Sequence, residues 1–179
     1  LVGSELGSKT VGIIGTGAIG LRTAQLCKAF GCKVIANAPH PKKEAEGIVE
    51  YVDLETLLKE SDIISLHCPL NDSSRGLINK ERIALMKPTA IVINAARGPV
   101  VDSQALADAL NEGRIAGAGI DVFEVEPPLD VNHPLLHSKN TIVTPHVAFA
   151  SAESMEARCH IVFDNITKWL AGEQVNVIL

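Results

Sequence analysis

The chain has 179 residues, 46% of them hydrophobic and 21% charged, and a formal net charge of −5. That length fits one domain with a substantial core, and the apolar content excludes a disordered chain. The acidic balance and scattered lysines argue against a nucleic-acid or membrane surface, and no apolar run approaches the roughly 18 residues of a membrane-spanning helix.

Aromatic residues make up only 3%, so the core must be aliphatic, as in a buried parallel sheet. Cys27, Cys32, Cys68 and Cys159 form no CxxC pair, which predicts reduced thiols in a cytoplasmic protein. The Asn-x-Ser/Thr matches at Asn71 and Asn165 are then chance. The chain starts at Leu1 with no signal-peptide pattern and meets a strand within about ten residues, so it reads as a piece of something longer.

In chain order, "VGIIG" (11–15) predicts a short buried strand. Ile19, Thr23, Leu26 and Phe30 then recur at helical spacing, with Gly31 placed as a C-cap. "KVIA" (33–36) predicts a second strand, followed by the weak polar segment "IVEYV" (48–52) and a short helix through Leu54, Leu57 and Leu58. "DIISLH" (62–67) and "AIVINAA" (90–96) predict strands on either side of a helix, "NKERIALM", stopped by Pro88. An amphipathic helix spans 103–111 and ends near Gly113. "AGAGIDV" and "TIVTPH" predict the last strands, and Met155, Cys159, Val162, Ile166 and Trp169 mark a long closing helix. Strands alternating with helices predict an α/β fold: a Rossmann-type, doubly wound parallel sheet with helices on both faces.

The first strand runs into "GTGAIG", with Gly15, Gly17 and Gly20 opening a helix. In that position the glycines allow a tight turn, close approach of a pyrophosphate and close helix–strand packing. The helix N-terminus adds free N–H groups and a partial positive charge. Ala18 and Ile19, lying between the glycines, join them as cofactor-binding candidates.

Three further stretches follow strands: "NAARGPVVD" (94–102), "GIDVFEVEPP" (119–128) and "TPHVAFAS" (144–151). They place Arg97, Glu126 and His146 on loops that one sheet edge can bring together. With "LHCPL" and the glycine turn, these motifs resemble the D-isomer-specific 2-hydroxyacid dehydrogenases across essentially the whole chain. The resemblance covers that family's cofactor domain and implies that its N-terminal substrate domain is absent, leaving residues 1–179 as one dinucleotide-binding domain.

The resemblance implies hydride transfer between NAD(P)H and a 2-keto acid, giving a D-2-hydroxy acid. Arg97 would hold the substrate carboxylate, His146 would be the general acid–base, and Glu126 would orient the His146 ring. Asp121 would face the nicotinamide, and Cys68, Pro69, Ala95 and Ala96 would line the cofactor channel, with His146 and Ala148 beside it. A homodimer is implied as well. The alternative is an NAD(H)-sensing, corepressor-like protein of the same fold. A short-chain reductase is excluded, because the only tyrosine, Tyr51, has Glu55 rather than lysine four residues on. His67 reads as structural, and His133 and His137 do not read as metal ligands.

The expected ribose-binding acid is missing. No Asp or Glu occurs between Thr16 and Lys43, and Ala38 stands where NAD-preferring relatives carry Asp. Asn37 can serve the ribose of NAD, while His40, Lys42 and Lys43 can meet the 2′-phosphate of NADP. Both cofactors therefore stay open, and the isolated domain is expected to bind cofactor but turn over poorly.

Overall fold

A computed structural model describes residues 3–177. Seven strands form one parallel sheet: β1 (Thr10–Ile14), β2 (Lys33–Asn37), β3 (Glu50–Tyr51), β4 (Ile63–Leu66), β5 (Ile91–Asn94), β6 (Gly117–Ile120) and β7 (Thr141–Val143). Their order is β3-β2-β1-β4-β5-β6-β7, so the direction of winding reverses between β1 and β4. A reversal of this kind opens a crevice at the carboxyl ends of the strands.

The helices are α1 (Ala18–Ala29), α2 (Leu54–Glu60), α3 (Lys80–Ile83), α4 (Ser103–Asn111) and α5 (Ala152–Leu170). The larger core cluster gathers Ile35, Ile64, Leu66 and Val92 from the strands with Leu57, Leu58, Ile83, Leu106 and Leu110 from α2, α3 and α4. On the opposite face Ala24 of α1 packs with Val11, Ile13, Val34 and Ala36. Helices thus cover both faces, as the alternating pattern requires. On the α1 side, however, Ile91, Ile93 and Ile142 of β5 and β7 remain 39%, 38% and 74% exposed.

Local chemistry sets most boundaries. Gly31 takes a left-handed φ of 90°, its N–H bonds Lys28 O, and Cys32 N–H bonds Cys27 O, which closes α1 in a Schellman turn. Asp53, Asn79 and Asp102 cap α2, α3 and α4 through their side chains. The helix expected over "NKERIALM" shortens to four residues. The strand expected over 90–96 stops at Asn94, whose side chain turns the chain back on itself. The weak "IVEYV" segment supplies a two-residue edge strand.

The chain divides into two compact units, one ending at Pro145 and one beginning at His146. All seven strands and α1–α4 lie in the first. The second is built on α5, which opens with a Ser151–Ser154 capping box and buries none of its residues.

Candidate active site

The glycine turn leaves β1 at Gly15, which has a φ of 96°. A Cβ on Gly20 would lie 2.0 Å from Gly15 O, so only glycine lets α1 sit this close to the strand. A Cβ on Gly17 would meet nothing within 4 Å, and Gly17 caps α1 without a side-chain bond. The first N–H groups of a twelve-residue helix therefore open onto free space, beside exposed Ala18 and Ile19. A cradle of this shape and polarity fits the pyrophosphate of a dinucleotide.

Backbone buttresses the turn from below. His67 N–H donates to Ile14 O at 2.7 Å, and a Cβ on Gly15 would come within 2.7 Å of Cys68 N. The His67 ring bonds Ser65 Oγ at 2.9 Å, and burial holds its pKa below the ordinary histidine value. Burial pushes the Cys68 thiol up, so this half-buried cysteine stays protonated. His67 is thus a packed structural residue, while Cys68 and exposed Pro69 sit at the mouth of the turn.

After β2, Gly15 N–H bonds Asn37 O at 2.8 Å, which keeps Asn37 and half-buried Ala38 beside the glycine turn. Asn37 Nδ2 donates to Val52 O at 2.9 Å, so the side chain offers a cofactor its Oδ1. His40, Lys42 and Lys43 are exposed. Sequence reasoning passed over Tyr51, whose hydroxyl reaches both Thr16 and Lys42.

Beyond β5, Asn94 is 1% exposed and shapes the next turn: its Oδ1 accepts from Ala96 N–H and its Nδ2 donates to Arg97 O, each at 3.0 Å. Ala95 and Arg97 are consequently exposed and Ala96 half-buried. Beyond β6, Asp121 is 5% exposed, its N–H bonds Asn94 O at 2.9 Å, and Thr144 Oγ1 donates to its carboxylate. Glu126 folds back so that its Oε1 accepts from Phe123 N–H at 2.7 Å. The two loops touch through backbone, since a Cβ on Gly98 would fall 2.0 Å from Phe123 C. Arg97 and Glu126 are thereby carried by adjoining loops at one sheet edge.

Glu124 holds these loops together. It accepts the hydroxyl of Ser103 on one oxygen and faces His133 Nε2 at 3.1 Å with the other. Burial works to raise its pKa, but the Ser103 hydroxyl, the backbone and His133 outweigh it and leave the carboxyl below its ordinary value. His137 Nε2 bonds Val131 O at 2.7 Å. Among the described residues no three His, Cys, Asp or Glu side chains cluster as metal ligands.

His146 opens the second unit with a φ of 54°, and its ring meets Phe149 edge-on at 5.9 Å. The Arg158 guanidinium lies 5.2 Å above the same Phe149 ring, and Ala148 is exposed nearby in sequence. A left-handed non-glycine residue stores local strain, a recurrent feature of functional positions.

A parallel sheet with its glycine turn at the switch point defines a Rossmann-type dinucleotide-binding fold. The chain belongs to the D-isomer specific 2-hydroxyacid dehydrogenase family, as its NAD binding domain, which matches residues 1–148. It is 44% identical over 176 residues to the hydroxypyruvate reductase of Blautia hydrogenotrophica, covering 97% of this chain and 54% of that protein. The structure of D-lactate dehydrogenase with NAD+ from Lactobacillus jensenii superposes with a TM-score of 0.91 at 38% identity, over 99% of this chain and 57% of that one. An acyclic imino acid reductase in complex with NADPH and D-Arg superposes with a TM-score of 0.87 at 37% identity, over 99% and 56%. The chain thus spans about half the length of these relatives. Among the described residues no helix is long and apolar enough to cross a membrane.

Proposed function

We propose that this chain is the cofactor half of an oxidoreductase that interconverts a short 2-keto acid and a D-2-hydroxy acid, working with a substrate domain of the kind the family carries. The observation that supports it best is the coincidence, at one sheet edge, of an open α1 N-terminus with Arg97 and Glu126 on adjoining loops. Gly15, Gly17, Ala18, Ile19 and Gly20 would hold the pyrophosphate, and Cys68, Pro69, Ala95, Ala96, Asp121 and Ala148 would border the nicotinamide. The nicotinamide supplies or accepts the hydride.

The remaining chemistry falls to side chains of this chain. Arg97, a fork of donors exposed beyond β5, binds the substrate carboxylate and polarises the neighbouring carbonyl. His146 gives a proton to the carbonyl oxygen in reduction and takes it back in oxidation. A positioned proton donor of this kind contributes roughly 10²- to 10⁴-fold. The role the family resemblance implies for Glu126 is to orient the proton donor for that transfer.

The loop after β2 lacks the carboxylate that would repel a 2′-phosphate, so the domain takes NADPH as well as NADH, with His40, Lys42 and Lys43 toward the phosphate. Exposed apolar side chains, among them Phe30 just after α1 at 66% and Trp169 on α5 at 67%, support association into a homodimer. Four free cysteines support a cytoplasmic setting.

Calorimetric titration of the chain with NADH and NADPH tests the cofactor assignment. Joining the domain to its substrate half and assaying hydroxypyruvate reduction tests the reaction. Cofactor binding without turnover in the joined protein would favour a nucleotide sensor over the dehydrogenase.

A further inference from the structure

We infer that Tyr51 is a specificity-determining residue: its hydroxyl fixes the loop that meets the adenosine ribose relative to the turn that holds the pyrophosphate. The inference rests on the cofactor site proposed above.

Tyr51 is the second residue of β3, an edge strand whose register pairs only Ile35 with Glu50 and Ala36 with Tyr51. Its ring lies half-buried against the smaller core cluster, which fixes where the hydroxyl points. That hydroxyl donates to Thr16 Oγ1 at 2.9 Å and accepts from Lys42 N–H at 3.1 Å. Thr16 is 3% exposed and stands between Gly15 and Gly17. One phenol thus spans the phosphate turn and the loop after β2, which are otherwise separate in sequence.

The loop has few other anchors. Ala45 is buried, and Lys28 Nζ bonds Gly47 O, so both hold its far end. At the near end Asn37 O already ties Ala38 to the glycine turn through Gly15 N–H; further along, among the exposed basic residues, the Tyr51 bond fixes the backbone of Lys42. The ammonium groups of Lys42 and Lys43 project from that backbone, and charge-assisted contacts depend steeply on placement. The pyrophosphate and the 2′ substituent belong to the same half of the ligand, joined through the adenosine ribose. A loop free to drift relative to Thr16 therefore loses the 2′-phosphate while the pyrophosphate stays bound. The Tyr51 hydroxyl is accordingly worth more to NADPH than to NADH.

A double-mutant cycle on the 179-residue chain tests this, with NADH and NADPH affinities measured by titration and melting temperature as the folding control. Tyr51→Phe keeps the ring and its packing. It is expected to weaken NADPH about tenfold while changing NADH less than about twofold. That loss should vanish in a Lys42→Ala, Lys43→Ala background. Thr16→Ala, which cuts the bridge from its other end, should reproduce the selective loss. Equal weakening of both cofactors by Tyr51→Phe would overturn the inference, placing the phenol in support of the glycine turn alone. Tyr51→Phe without effect, beside lysine variants that do weaken NADPH, would overturn it while leaving the cofactor site standing. Lysine variants that leave NADPH affinity unchanged would remove the loop's role, and the inference with it.

Discussion

Glu124 and His133 face each other at 3.1 Å, and Ser103 donates to the other carboxylate oxygen of Glu124, so three separate segments meet on one side chain. The Glu124 side chain is 37% exposed, and its carboxyl sits below its ordinary pKa. A depressed carboxyl binds its proton less tightly in the folded than in the unfolded state. Its contribution to stability is therefore present above the ordinary glutamate range and lost as pH falls through the folded pKa. Urea midpoints between about pH 7 and 3 should decline less steeply for Glu124→Gln than for the parent. Parallel declines would contradict the assignment.

His67 has the same sign for a different reason. Burial depresses its pKa, so the folded state resists protonation and the unfolded state does not. Stability should fall as pH drops below the ordinary histidine value of about 6.5. In His67→Asn that part of the pH dependence should flatten, read from melting temperatures at pH 7.5, 6.5 and 5.5.

Gly20→Ala forces a methyl against Gly15 O, at 2.0 Å in the parent geometry. The expected cost is roughly 1–3 kcal/mol of stability. Cofactor affinity should fall too, because the α1 N-terminus must move. Thermal melts and NADH titration of the same preparation check both.

Arg97→Ala in a polypeptide that joins this domain to its substrate half should lower kcat/KM for the keto acid about 10²- to 10³-fold, on the scale of a lost charge-assisted bidentate contact. Arg97→Lys should recover little of it, because an ammonium lacks the fork of donors. NADH affinity should stay within about twofold in both variants, since Arg97 is assigned to substrate alone. A matching loss of NADH affinity would move Arg97 into the cofactor site.

What was legible in the sequence shares one property: the signal is local. The glycine turn reads directly because close approach tolerates only glycine, and α4 spans 103–111 as its periodicity predicts. The early end of β5 follows from the local bonds of Asn94, which periodicity does not register, while α3 passes after Ile83 into i→i+3 turns, with Leu85 N–H on Arg82 O and Met86 N–H on Ile83 O. Tyr51, Glu124 and Asn94 went unassigned as organisers. The Tyr51–Thr16 bond spans 35 positions and the Glu124–Ser103 bond 21, and no pattern along the chain announces either. A buried polar residue at the end of a strand was the available sign for Asn94, since such a group must find partners at once.

The two tightest approaches at the site, at Gly20 and at Gly98, are made by backbone: Gly15 O in one case, Phe123 C and O in the other. A main-chain atom cannot be trimmed by substituting its residue. A genetic search for second-site suppressors of Gly20→Ala or Gly98→Ala should therefore return true revertants in place of compensating partners. In a library of variants these two positions would stay fixed on packing grounds alone, whichever cofactor or substrate the selection used.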